Sequence, residues 1–592
     1  MVENAAGPGK RNRGAAHRVP PPARHWPVVG LAVMLALALL SLGGQPRTAR
    51  GEPAAHAATE REPETPLASS RAPRLIPAGT ERTLTIAATG DLKGWITTAT
   101  LDPDRRPTGL AYVAPRIRAL RAEDPELILL DAGDALQGAP SATLAGTAVP
   151  PIVTLMNALG YDAMALGNVD VSLGWPALDR ARAASRFAWL AANVRTPSGG
   201  TRLPPYAVLE RHGIRVGIVG MTTPAAVLGR DPRRLEGVTF TDVEAAARRW
   251  ASVLRRVERV DVLIGLFHSG LDSTYDRDVA LRAGAPLFAA AGRVAEAGLG
   301  FDLIVAGDAQ RLSPRTPSGA ETPYGTPVVE PGARGNGLAV VTLRLAERDD
   351  HWSVQDVRRR TLPATDAPDP AALALEARAL RRTRERLAAP TRVRFRAVPR
   401  KTEFQRCAGA LSHAAAARLT VPSADPARTL SLLPAWRFVA PPRDEVGEPV
   451  RLAHLVRWLP FDERLVQGRL TGRQVALLLD GYVRWSRGWR TRPGTVLWPG
   501  GLNAPVPPEG SELAGLRRVG GGAPLEPTAH MPVWISAFIW YGGLGLAPRA
   551  LLPGGPPLRE APARLREALF ALLSDPAFAL PGPCARWLTP AR

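Results

Sequence analysis

Hydrophobic and polar positions alternate along this chain with two different periods. Short apolar runs, LTIAAT, LILL, AMAL, VLIGL and LIV, recur from Leu84 to Val305. They are rich in β-branched or aliphatic residues and apolar on successive positions, the pattern of strands buried on both faces. Between them lie stretches with helical spacing, TGLAYVAPRIRALRAE and FTDVEAAARRWASVLRRVERV. Strand alternating with helix predicts a layered α/β domain over roughly the first half of the body. Beyond Leu345 the chain turns polar. AALALEARALRRTRERLAA (Ala371–Ala389) then repeats with helical spacing and no internal breaker, so a helix is expected there.

Chemistry enters at the ends of the apolar runs. Each is followed at once by a short polar motif: GDLKG (Gly90–Gly94), DAGDALQG (Asp131–Gly138), GNVD (Gly167–Asp170), FHSG (Phe267–Gly270) and AGDAQ (Ala306–Gln310). Oxygen and nitrogen donors at the ends of successive strands converge on one edge of an α/β sheet. That is the construction of a two-metal hydrolase.

The order of these motifs, with NALGYDAMALGN at Asn157–Asn168, resembles the calcineurin-like metallophosphoesterases and, more narrowly, their 5'-nucleotidase family. The family pattern runs DxHG, DxGDxxQG, NxLGYDAxxxGNHEFD, a lone His, then GHxQ or GHxH. The resemblance implies a layered α/β/β/α metallophosphoesterase sandwich plus a C-terminal α+β substrate-binding domain. It also implies a divalent metal (Mn, Mg or Zn) and a small-molecule phosphate ester or nucleotide as substrate. Carried over, one metal position falls to Asp91, Lys93, Asp134 and Gln310, and the other to Asp134, Asn168, His268 and Asp308. A protonated lysine has three donors and no lone pair, so the first position loses a ligand and one metal site is expected. Lys93 then stands as a point cation where a second metal would sit. The family's catalytic His and the Asp that orients it fall at Val169 and Ser172, so no catalytic residue is assigned and impaired hydrolysis is expected. The superfamily's thiosulfohydrolase branch also lacks that His, and HSGLD (His268–Asp272) and LLPAWRF (Leu432–Phe438) resemble its motifs. A sulfur enzyme of that kind and a catalytically silent binding protein using the same cleft are the alternatives.

The later part of the chain resembles the family's second domain through ALSHAA, LVRWLPFDERLVQGRLTGRQVALLL and FIWYGGLGL. By position the resemblance assigns substrate contacts to Phe538, Trp498 and Arg437. An aromatic face suits a flat base and an Arg fork suits phosphate or carboxylate.

Composition adds the compartment. Five basic residues in the first 26 precede the uncharged run PVVGLAVMLALALLSLGG (Pro27–Gly44), and a small-residue site, AHA, follows at Ala55–Ala57. This reads as an export signal, or as an uncleaved inner-membrane anchor with its positive flank inside. The body is therefore expected in the periplasm or otherwise outside the cytoplasm. Net charge is +21, yet no basic run interleaves with aromatics, so nucleic acid is not an expected partner. Cys407 and Cys584 are the only cysteines; in an oxidising compartment one disulfide is favoured over two free thiols. The chain divides into a basic n-region (1–26), signal or anchor (27–44), disordered linker (45–81), metallophosphoesterase domain (82–346), linker with helix (347–397) and 5'-nucleotidase-like C-terminal domain (398–592).

Overall fold

The five apolar runs become strands, three parallel in one sheet and two parallel in another. A computed structural model describes residues 79–98, 107–143, 149–227, 235–271, 290–314, 325–348, 351–397, 401–420, 430–434, 446–459, 464–479, 497–500, 526–541 and 558–590. In chain order these include β1 (Glu81–Thr89), β2 (Ile128–Asp131), β3 (Ala163–Ala165), β4 (Ala188–Leu190), β5 (Val194–Arg195), β6 (Tyr206–Arg211), β7 (Ile214–Thr222) and β8 (Thr239–Phe240). They continue with β9 (Val262–His268), β10 (Leu303–Ala306), β11 (Leu312–Ser313), β12 (Val328–Pro331), β13 (Gly337–Arg348) and β14 (His351–Pro363). Two six-stranded sheets result, ordered β14-β13-β1-β2-β3-β4 and β11-β12-β10-β9-β7-β6. Within the first, β1, β2, β3 and β4 are parallel; within the second, β7, β9, β10 and β12 are.

Both sheets present apolar side chains on both faces, and three layers of contact follow. Leu84, Ile86, Leu130, Ile218, Ile264 and Val305 fill the space between the sheets. Helices Leu110–Glu123, Pro151–Leu159 and Trp175–Ala184 cover the outer face of the first sheet with Ile117, Met156 and Leu178. Helices Val243–Arg256 and Ala290–Glu296 cover the second with Ala247, Leu254 and Val294. The result is the α/β/β/α sandwich. The sheets approach so closely that a Cβ on Gly220 of β7 would lie 2.2 Å from the Leu190 Cβ of β4. At that spacing only glycine fits.

The polar stretch beyond Leu345 is itself sheet. β13 and β14 form a long antiparallel hairpin that completes one edge of the first sheet past residue 346, with Trp352 buried in the intersheet core. The expected helix spans Pro370–Ala388, and Asp369 caps it by accepting from the Ala372 N–H at 2.9 Å. A second, α+β unit follows. It has strands β15 (Pro390–Phe395), β16 (Leu430–Pro434), β17 (Pro449–Arg451), β18 (Arg464–Thr471), β19 (Leu497–Gly500), β20 (His530–Ser536), β21 (Arg559–Arg564) and β22 (Leu588–Pro590). They form a three-stranded sheet, β17-β15-β22, and a five-stranded sheet, β19-β16-β20-β18-β21. Helices Lys401–Thr420 and Leu565–Ser574 bury Leu411, Leu569 and Leu572 with Trp587. Cys407 and Cys584 are disulfide-bonded. The expected signal or anchor, Pro27–Gly44, lies outside the described residues, and no described helix is long and apolar enough to cross a membrane.

Candidate metal centre

Parallel strands of both sheets end at one edge, and the polar motifs meet there because each begins where its strand stops. The loops after β1 and β2 run on as a continuation of the ladder: the Asp91 and Lys93 N–H groups donate to the Gly133 and Asp134 carbonyls, each at 2.8 Å. Turning the donors inward requires unusual backbone. Asp91, Lys93, Asp134, Asp308 and Gln310 have φ between 49° and 68°, a left-handed region that costs a non-glycine residue energy and clusters at functional sites.

Asp134 is the hub. Its Oδ1 accepts the Val169 N–H at 2.7 Å and lies 3.4 Å from His268 Nε2, while its Oδ2 lies 2.9 Å from Lys93 Nζ. Lys93 Nζ is also 2.9 Å from Asp91 Oδ1. Asp91, Lys93, Asp134 and His268 are all buried. His268, the last residue of β9, donates its Nδ1–H to the Ala132 carbonyl at 2.7 Å. That bond turns Nε2 toward the carboxylates and fixes the tautomer that can ligate. Nε2 stands 3.3 Å from Asn168 Oδ1 and 3.6 Å from Asp308 Oδ1. The Asp308 N–H in turn donates to Asp91 Oδ2 at 3.0 Å.

These separations test a metal. Donors bonded at about 2.1 Å to one tetrahedral or octahedral ion lie about 3.0–3.4 Å apart. The distances from His268 Nε2 to the Asp134, Asn168 and Asp308 oxygens, 3.3–3.6 Å, are close to the donor separations of such a shell. Asp91, Asp134 and His268 also offer donors within 4.8 Å of one another, but the Asp91 and Asp134 oxygens on that side face an ammonium rather than an open centre. The residues present therefore offer donors that suit a divalent ion, with the Lys93 ammonium occupying the side between Asp91 and Asp134. Charge agrees. Burial alone would lower the Lys93 pKa, and Asp134 and Asp91 overcome it and hold the lysine above its ordinary value. Burial would likewise lower His268, but Asp134, Asp308 and Asp91 raise it to about 9.

Gln310 is exposed at the end of its loop. Val169 is half-buried and supplies only its backbone: its N–H goes to Asp134, and its carbonyl accepts from Gln137 Nε2 at 2.7 Å and Ser172 Oγ at 2.6 Å. Gln137 Nε2 also donates to Ser172 Oγ. Phe538 is half-buried in the short helix Ala537–Trp540. Trp498 lies on β19, paired with Leu433, and Arg437 falls outside the described residues.

Three further residues shape the site. Asp170 is fully buried and accepts from the N–H groups of Asp134, Leu136 and Gly167; burial and Asp134 raise its pKa to about 7 against those donors. Asp131, also buried, accepts from Thr89 Oγ1 and the Gly133 N–H. Both stand inside motifs read from the sequence, but nothing in the motif distinguishes a carboxylate that braces a loop from one that ligates. Arg334, at φ 51°, donates its backbone N–H to the Asp91 carbonyl at 2.9 Å. The turn EPGARGNG after β12 was its available signal.

No family model matches the chain. Over 283 residues it is 30% identical to the trifunctional nucleotide phosphoesterase protein YfkN of Bacillus subtilis, covering 43% of this chain and 19% of that protein. Over 192 residues it is 30% identical to a 5'-nucleotidase of Vibrio cholerae, covering 32% of this chain and 34% of the relative. The chain thus spans well under half the length of these relatives. The solved 5'-nucleotidase precursor from Thermus thermophilus superposes with a TM-score of 0.60 at 23% identity, over 83% of this chain and 96% of that one, and shares the fold. Motif order, donor geometry and relatives agree in one likeness: the chain is similar to the 5'-nucleotidases among the calcineurin-like phosphoesterases and shares their fold.

Proposed function

We propose that the chain is an exported hydrolase of phosphate esters, nucleotides among them, with impaired turnover. The observation that carries this reading is the placement of Asp134, Asn168 and Asp308 oxygens 3.3–3.6 Å from His268 Nε2, at strand ends of both sheets. When bound there, a divalent ion supplies Lewis-acid polarisation of a phosphoryl oxygen and makes water a competent nucleophile at neutral pH. The chain's own residues do the rest. His268 is aimed by Ala132, and Asp134 is fixed by the Val169 N–H and by Lys93. Missing is a side-chain donor at position 169 for the charge that develops on phosphorus-bound oxygen, and loss of such a donor costs about 10²–10³ in rate.

Phe538, Trp498 and Arg437 are proposed as the substrate contacts. The buried disulfide between Cys407 and Cys584 supports a compartment outside the cytoplasm. A reporter active only outside the cytoplasm, fused to Arg592, should be active; activity of a cytoplasmic reporter instead would overturn export. The hydrolase reading is tested by Mn²⁺-reconstituted protein with AMP and p-nitrophenyl phosphate: slow, chelator-sensitive release of phosphate is expected. Turnover of AMP at an ordinary ~10 per second would sink the impairment, and chelator-resistant hydrolysis would sink the metal. Val169 and Lys93 favour a second reading, nucleotide binding without hydrolysis, which saturable AMP binding with no phosphate release would establish.

A further inference from the structure

This chain avoids lysine. Of 75 Lys and Arg residues only Lys10, Lys93 and Lys401 are lysines. One of those three is buried with its ammonium 2.9 Å from both Asp91 Oδ1 and Asp134 Oδ2. An arginine there would bring a broad planar fork, whereas an ammonium is a compact point charge that fits between two oxygens. Those oxygens are held by the polypeptide itself. The loops carrying them are tied by Asp91 N–H to Gly133 and Lys93 N–H to Asp134, and Lys93 sits at φ 49°, a strained backbone with a defined aim.

A divalent ion at the same place would meet two obstacles. Oxygens 2.9 Å from Nζ would have to close to about 2.0–2.2 Å around a metal, and the cation between them has no lone pair to offer. We propose that Lys93 is a built-in replacement for one cation of a two-metal centre, so that the chain takes up a single divalent ion, on Asp134, Asn168, His268 and Asp308. The proposal rests on the preceding reading for the position of that ion, and not on turnover.

The test counts metal rather than activity. The full chain, equilibrated with Mn²⁺ and stripped of loose metal, is examined by elemental analysis and electron paramagnetic resonance. One Mn²⁺ per chain with an isolated-ion spectrum is expected. Lys93→His should raise the count to two, with the exchange-coupled spectrum of ions about 3.5–4 Å apart. Asn168→Ala leaves the Lys93 pairs intact and should weaken Mn²⁺ binding at least tenfold, which keeps the proposal testable if Lys93→His does not fold. Two ions in the wild type, none in the wild type, a count of one in folded Lys93→His, or unchanged affinity in Asn168→Ala would each overturn it. Absence of phosphatase activity alongside the expected counts would refute the hydrolase reading alone.

Discussion

At the scale of single residues the site depends on side chains whose roles differ although their types are alike. Asp134 faces the proposed ion position, Asp170 braces the loop that carries it by accepting its N–H, and Asp131 accepts from the neighbouring Gly133 N–H. Val169 marks the missing function. Replacing Val169 with His and Ser172 with Asp restores a donor beside Asp134 and an acceptor to orient it, where Gln137 and Ser172 now meet the Val169 carbonyl. Phosphatase turnover should rise by at least tenfold, toward the ~10²–10³ that one such donor is worth; an unchanged rate in a folded, metal-loaded variant would show that the donor is not what limits hydrolysis. Asp131 offers a different measurement. Burial raises its pKa to about 7 against the Thr89 and Gly133 donors, while an unfolded aspartate titrates near ~3.9. The folded state therefore holds a proton that the unfolded state releases. Its contribution is full below about pH 4 and is lost as pH climbs to about 7, by on the order of a few kcal/mol. Asp131→Asn keeps an acceptor for Gly133 and cannot ionise, so the melting temperature at pH 8 should rise toward its pH 5 value. An identical pH profile in wild type and variant would refute that account.

At the scale of elements, legibility followed physics. The runs LTIAAT, LILL, AMAL, VLIGL and LIV became β1, β2, β3, β9 and β10, because residues apolar on both faces have few other places to go. Their polar followers reached one edge because the strands are parallel. The β13–β14 hairpin was not legible. β14 carries exposed arginines on its open side, and a half-covered edge strand with that composition reads as a polar linker. Lys93 was legible as a lost ligand; that it bridges Asp91 and Asp134 depends on two loop conformations at positive φ, which no local pattern encodes. The turn from β3 into the helix Asn168–Val171 shows how tightly these elements are set. A Cβ on Gly167 would fall 2.1 Å from the Asp134 nitrogen and 2.2 Å from its Oδ1. Gly167→Ala should displace Asp134 and abolish tight metal binding while the sheets persist, because the clash lies in the loops beyond the strands. Calorimetric Mn²⁺ affinity within a few-fold of wild type would show that the turn can relax.

At the scale of the whole molecule, the second unit closes on itself. β22, near the end of the chain, pairs with β15, where that unit begins, and the disulfide joins the helix Lys401–Thr420 to the turn Gly582–Cys584 beside the same strand. The crosslink encloses a span of 177 residues. In the chain-entropy picture a loop that long restricts the unfolded state by roughly 5 kcal/mol. Its ends lie in a single buried cluster, with Cys407 and Cys584 packed among Leu411, Leu569 and Trp587, so the native state already holds them together and the bond acts mainly on the unfolded chain. The candidate metal-site loops follow strands of the two six-stranded sheets, although Trp95 and Ala139 just beyond them join the buried cluster of the disulfide. Replacing both cysteines with alanine should therefore lower the melting temperature of the transition that reports the second unit, which Trp534 and Trp587 fluorescence can follow, and leave Mn²⁺ stoichiometry unchanged. A melting temperature unaffected by the double replacement or by reductant would show that packing alone closes this unit. Metal loss on reduction would show that the metal centre depends on the second unit being stapled shut.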